Sequence, residues 1–182
     1  IEHFTSLERL NCYGNKLTSL DVSHNPLTYL DCRSNQLTSL DVSTIRLCYL
    51  YCSMNQLTNL VLSSQLWIIE CDHNQLTTLD LSNNTVLVRL RCESNQMVSL
   101  DISKCKDLEL LNCGSNPLTN LDISNNKKLK LLTISNSHLT DFDISTNPDL
   151  VAFSCENMQW SNLDVSKNTK LGSLRCSNNL LT

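Results

Sequence analysis

The chain has 182 residues, a net charge of −4 and a pI near 5.5. With 14 Lys and Arg against 18 Asp and Glu, it lacks the clustered positive charge that sequence-independent nucleic-acid binding requires. No apolar run approaches the roughly 18–20 residues of a membrane-spanning helix, and Ile1-Glu2-His3-Phe4 has neither the basic start nor the apolar stretch of a secretory signal, so neither a nucleic-acid partner nor direct membrane insertion is expected.

Three glycines and three prolines are few for a loop-rich fold, and Leu, Ser, Asn, Asp and Thr dominate. Such bias points to repetition. Units begin at Leu7, Leu27, Leu47, Leu66, Leu87, Leu108, Leu129, Leu150 and Leu171, with steps of 20, 20, 19 and then 21 five times. Each unit holds two halves. The first reads Leu-x-x-Leu-x-Cys-x-x-Asn; the second reads Leu-x-x-Leu-Asp-Val-Ser, followed in most units by x-Asn. In Leu-x-Cys two apolar residues point one way and the middle residue the other, as a strand requires. One short parallel strand is therefore expected in each first half, with an extended or turn-rich second half on the opposite side. Helix should be scarce, because neither half sustains a 3.6-residue period. A single turn cannot bury its apolar side; stacked turns close a continuous core. This is the signature of a leucine-rich-repeat solenoid, a curved right-handed coil. Residues 1–182 are expected to form one array of about nine turns without recognisable caps.

Eight of the ten cysteines share one slot: Cys12, Cys32, Cys52, Cys71, Cys92, Cys113, Cys155 and Cys176. Ile134 fills that slot in the seventh unit. Isoleucine neither ligates metal nor forms a disulfide, so the slot wants a small apolar filler, and free Cys acts as one. Parallel Cβ vectors in a stack suit disulfide geometry badly. Reduced, buried thiols are expected, with no metal and no cofactor. Cys48 and Cys105 lie off the ladder; Cys105 replaces a turn Asn.

A second ladder comprises Asn15, Asn35, Asn55, Asn74, Asn95, Asn116 and Asn179, broken by Ser137 and Met158. Its amides should satisfy backbone groups of adjacent turns. A third carries Asp21, Asp41, Asp80, Asp101, Asp122, Asp143 and Asp164, with Val61 as the exception, and Ser follows two residues later in every unit. Asp and Ser bond nearby N–H groups at turns. The competing reading, a calcium ladder, suffers from one carboxylate per turn and no multi-ligand loop.

Segments such as Leu37–Ser43 (Leu-Thr-Ser-Leu-Asp-Val-Ser) and Leu121–Asn126 (Leu-Asp-Ile-Ser-Asn-Asn), with Cys at Leu-x-Cys, resemble the 21-residue repeats of internalin-type bacterial surface leucine-rich-repeat proteins that carry a cysteine ladder. The resemblance covers nearly the whole chain. It implies an extracytoplasmic place (cell surface, secreted or periplasmic) and attachment to a host or partner protein. The helical cap, immunoglobulin-like flank and wall anchor that such proteins carry are not among these residues.

The variable surface carries the functional expectation. The residue before the second leucine is polar throughout the second halves, yet in the first halves it is Arg9, Tyr29, Tyr49, Ile68, Arg89, Leu110, Leu131, Ala152 and Ser173. The middle-strand column is Asn11, Asp31, Tyr51, Glu70, Arg91, Asn112, Thr133, Ser154 and Arg175, and a third column begins Tyr13, Arg33. All four tyrosines fall on this face. Tyr and Arg dominate interface energetics, and contiguous outward apolar residues mark interaction sites. The expected partner-binding set is Tyr13, Tyr29, Arg33, Tyr49, Tyr51, Ile68, Arg89, Arg91, Leu110 and Leu131, with Trp67 and Val88 extending it. The partner is another protein or a second copy in a homo-oligomer; a small apolar ligand on the same face is the alternative. His3, His24, His73 and His138 are scattered and no catalytic motif is present, so enzyme activity is not expected.

Overall fold

The structure, a computed structural model, describes residues 3–140 and 142–182. Among them are eleven three-residue strands: β1 (Arg9–Asn11), β2 (Tyr29–Asp31), β3 (Ser39–Asp41), β4 (Tyr49–Tyr51), β5 (Asn59–Val61), β6 (Ile68–Glu70), β7 (Arg89–Arg91), β8 (Leu110–Asn112), β9 (Leu131–Thr133), β10 (Ala152–Ser154) and β11 (Ser173–Arg175). No helix occurs among the described residues.

Nine of these strands form one parallel sheet in the order β1-β2-β4-β6-β7-β8-β9-β10-β11. They bound eight complete turns and open a ninth. The register pairs each inward residue with its counterpart one repeat on: Leu10 with Leu30, Leu50 with Ile69, Leu111 with Leu132, Phe153 with Leu174. The second halves hold only β3 and β5, paired in a two-stranded sheet, and one bridge between Ser99 and Asn120. The chain is a leucine-rich-repeat solenoid.

The strands are short because a corner follows each one. The ladder of N–H to carbonyl bonds continues through the Cys slot, as from Cys32 to Tyr51 and Cys92 to Asn112. The chain then passes through a left-handed residue: Gly14, Ser34, Met54, His73, Ser94, Ser115, Asn136, Asn157 and Asn178 all have φ between 52° and 72°. Only there can the backbone turn inward sharply enough to bring the next Asn beneath the strand.

That Asn explains the turn. Asn35 donates from Nδ2 to the carbonyls of Cys12 and Cys32 at 2.9 and 3.0 Å, and its Oδ1 accepts the Leu17 N–H at 3.0 Å. Asn55, Asn74, Asn95 and Asn116 repeat the pattern. Each amide thus ties together backbone groups from adjacent turns that would otherwise be buried without partners. Where the ladder breaks, the Ser137 hydroxyl meets the Met158 sulfur at 3.6 Å. The core there changes character: Phe142 stacks between Phe153 and Trp160 at 6.3 and 6.2 Å, and the buried Trp160 donates from its indole to the Leu139 carbonyl at 2.7 Å.

The core is a continuous column of Leu, Ile, Val and Cys. All ten cysteines are free. Among the eight in the ladder, Cys12 and Cys176 are half-buried and the others buried. Burial pushes the Cys113 and Cys155 thiols up to about 12 and holds Cys32, Cys52, Cys71 and Cys92 well above the ordinary thiol range. These are apolar fillers, held protonated.

Candidate protein interface

The strand face is built from three parallel columns, and strand alternation turns all three away from the core. The outward position does not mean a bare one. In the first column Tyr29, Tyr49, Ile68 and Leu110 are half-buried, whereas Arg9, Arg89 and Leu131 are exposed. The tyrosines cover one another. Tyr29 lies 6.4 Å from Tyr49 and 5.5 Å from Tyr51 between ring centroids. Trp67, about half exposed, sets its ring edge-on to Tyr49 at 6.0 Å.

Guanidinium groups frame this cluster. Arg9 lies over the Tyr29 ring at 4.1 Å, and Arg33 lies 5.1 Å from the Tyr51 ring and 5.7 Å from Tyr13. Arg33 also holds Asp31 with two bonds, 3.0 Å from Nε and 2.7 Å from a terminal nitrogen. Asp31 is consequently buried although its strand position faces outward, a placement the residue pattern alone did not foretell. Glu70 takes Arg33 at 4.0 Å on one side and Arg89 at 3.8 Å on the other. The structure therefore joins Tyr13, Tyr29, Arg33, Tyr49, Tyr51, Ile68 and Arg89 in one contiguous region across β1, β2, β4, β6 and β7. Such a framework holds the rings in place against one another.

Arg91, Leu110 and Leu131 lie farther along the same face. With Asn112, Thr133, Ala152, Ser154 and Arg175 they line an open trough of about 280 Å³ over β7 to β11. A third column borders it. Gly114 belongs there because a Cβ would stand 2.8 Å from the Ser135 carbonyl oxygen. Between the two regions Asp72 accepts the Ser53 hydroxyl at 3.0 Å and the Glu93 N–H at 3.2 Å. Burial nonetheless raises its carboxyl above the usual range.

The opposite side is quieter. Asp21, Asp41, Asp80, Asp101, Asp122, Asp143 and Asp164 each accept the N–H of the Ser two residues on, at 2.7 to 2.9 Å. The Asn that follows Ser in most units forms a further amide column: Asn84, Asn126, Asn147 and Asn168 are buried and donate to carbonyls of the preceding turn. The signal was available in the recurring Ser-x-Asn, and Cys105, buried in the slot before Asn126, accepts the Asn126 amide on its carbonyl. Among the described residues no group of three or more His, Cys, Asp or Glu is placed to hold a metal ion. No helix of the described residues is long and apolar enough to cross a membrane.

The functional domain of InlJ from Listeria monocytogenes, which includes a cysteine ladder, superposes with a TM-score of 0.94 at 38% identity over 97% of this chain and 40% of that one. The chain belongs to the InlJ-like, cysteine-ladder leucine-rich-repeat family. Other solved structures share the fold alone. A leucine-rich-repeat protein of Leptospira interrogans matches with a TM-score of 0.84 at 23% identity, over 100% of this chain and 57% of its own. YopM, a leucine-rich effector protein from Yersinia pestis, gives 0.77 at 24%, over 97% and 56%. The chain thus spans well under two thirds of each of these relatives. No family model and no curated protein matches. The InlJ-like assignment fits the free Cys column and its Asn partners, which are scaffold; the tyrosine cluster is a property of this chain's variable positions.

Proposed function

We propose that this InlJ-like chain is a protein-binding module, and that Tyr13, Tyr29, Arg33, Tyr49, Tyr51, Ile68, Arg89, Arg91, Leu110 and Leu131 form the surface that meets the partner. The observation that carries the reading is the contiguous aromatic and guanidinium cluster over β1 to β7, on a solenoid whose other face is polar. Tyr and Arg anchors with prefixed geometry are what binding hot spots require. The 38% identity to the InlJ domain supports a place outside the cytoplasm, at a bacterial surface, and a role in adhesion to a host or partner protein. The reading is of binding rather than catalysis: the face repeats similar positions, whereas catalysis needs dissimilar groups converging on one reacting atom.

A photo-crosslinking amino acid placed at Trp67 tests this. Surface proteins of the producing bacterium and its host are offered as partners, with a second probe at Ser99 on the opposite side. Discrete adducts at 67, absent at 99 and lost when Tyr29, Tyr49 and Tyr51 are replaced by Ser, support the interface. Equal labelling at both positions, or labelling indifferent to the tyrosines, removes it.

A second copy of the chain is the other reading, favoured by exposed Trp67, Val88, Leu131 and Val151 along one rim of the face. Sedimentation decides between them, since a monomer at high concentration rejects self-assembly.

A further inference from the structure

The hydrogen-bonding capacity of the strand face is unevenly used. Its carboxylates are engaged from within the chain. Asp31 and Glu70 hold arginines, Asp72 holds Ser53, Glu93 takes the Asn112 amide at 2.6 Å, Glu109 takes Lys130 at 2.9 Å, and Glu156 takes the Ser177 hydroxyl at 2.8 Å. The guanidiniums of the trough over β7 to β11 make no close ion pair, although Arg91 also borders a hollow lined by Glu70, Asp72 and Glu93 and its charge favours the ionised Asp72. Among the described residues no carboxylate oxygen lies within 4 Å of Arg91 or Arg175, and neither side chain donates a hydrogen bond. These two arginines stand at opposite ends of the trough, on β7 and β11, and no Asp or Glu lines it. Between them runs the aliphatic row Leu110, Leu131 and Ala152.

The ends are separated by the spacing of strands β7 to β11 in the sheet, about 19 Å for neighbours roughly 4.8 Å apart. An extended chain covers that span in about six residues at ~3.3 Å each. Alternate residues of such a chain face one way, so positions 1, 3, 5 and 7 would look into the trough together. Planar, five-donor guanidiniums favour carboxylates, and the leucines favour aliphatic side chains.

We propose that this trough takes an extended polypeptide segment of the partner, laid along the solenoid axis, with a carboxylate on Arg91, a carboxylate on Arg175 and aliphatic side chains over Leu110 and Leu131. This rests on the protein-binding reading of the face and adds the partner's chemistry. The aliphatic row separates a peptide from a sulfated polysaccharide, which would offer anions without apolar contact.

The test uses the capped, fluorescein-labelled heptapeptide Glu-Ser-Val-Ser-Val-Ser-Glu, read by fluorescence anisotropy. Lys-Ser-Val-Ser-Val-Ser-Lys, Glu-Ser-Ser-Ser-Ser-Ser-Glu and a heparin tetrasaccharide are the comparisons. The Glu-ended, Val-bearing peptide binds and the others bind more weakly. Arg91→Ala and Arg175→Ala each loosen it roughly fivefold, as for an exposed ion pair, and added salt loosens it further. Leu131→Ser also weakens it. All three substituted side chains are at the surface, and an unchanged thermal midpoint confirms the fold. The proposal falls if the Lys-ended, Val-free or heparin probe binds as well, if both arginine variants keep the original affinity, or if the Glu-ended peptide does not bind at millimolar concentration. A silent peptide together with intact crosslinking at position 67 removes only the trough; loss of both removes the interface itself.

Discussion

The inward Asn is the residue on which each turn closes. Asn55 is buried, donates to Cys32 and Cys52 carbonyls at 3.0 and 3.1 Å, and accepts the Leu37 N–H at 3.0 Å. Removing the amide strands the Leu37 N–H in a dry interior and leaves the Cys32 and Cys52 carbonyls one amide donor each, from Asn35 and Asn74. Asn55→Ala is therefore expected to cost about 3 kcal/mol, one unmet buried N–H plus two lost bonds to carbonyls, measured as a lower urea midpoint at unchanged slope. A loss below about 1 kcal/mol, within the range of one ordinary hydrogen bond, would mean that water or a shifted backbone replaces the amide. The residue before it explains a different tension. Met54 and His73 hold a left-handed φ of 58° and 54°, a conformation that suits Gly or Asn. Because the same strain recurs in every turn, it belongs to the scaffold rather than to a site.

At the level of elements, the two half-repeats differ in what their backbone bonds to. The first halves bond to each other and make the nine-stranded sheet. The second halves bond to their own aspartates, and ladder pairing survives only at β3–β5 and the Ser99–Asn120 bridge. The Ser N–H, preceded at Asp41 by the Ser43 hydroxyl, holds these Asp carboxyls below the usual carboxylate range. Their folded-state values thus lie below the unfolded ones, and the unfolded chain binds more protons in between. Their contribution is complete above the ordinary Asp value near 3.9 and fades as pH falls through the lowered ones. Asp122→Asn is expected to be less stable than the parent at neutral pH and to approach it in acid, seen in thermal midpoints across a pH series. A constant difference down to the lowest pH would show that the turn depends on shape and not on charge. Asp72 acts in the opposite sense: its raised carboxyl disfavours folding as pH rises through the folded-state value.

For the whole molecule, stacking is the source of stability, because each turn buries its apolar side only against its neighbours. The buried thiols report on that stack. Cys52, Cys71, Cys92 and Cys113 are buried and held protonated, so a thiolate-dependent reagent reaches them only after the stack opens. Cys48 is half-exposed beside the tyrosine cluster. Brief alkylation of the folded protein followed by peptide mass spectrometry is expected to modify the partly exposed Cys48 and Cys176 early and the four buried thiols at the rate of unfolding. Rapid modification of Cys71 or Cys92 in the native state would contradict the closed core.

The repeat phase, the inward Leu and Cys, the Asn and Asp columns and the outward tyrosines were all determined by residue order. Each depends on a local period of two within a step of about 20 residues, and periodicity needs no knowledge of the partner turn. What only the tertiary structure decided is how residues some 20 positions apart meet on the outer face. Asp31 is buried because Arg33 and the tyrosines close over it, Glu70 lies between two arginines, and Arg91 and Arg175 stand at the ends of a trough that no carboxylate lines. These relations depend on side-chain reach between neighbouring turns. A repeat pattern sets which column a residue joins, whereas only the stacked coil sets which charges in that column find each other.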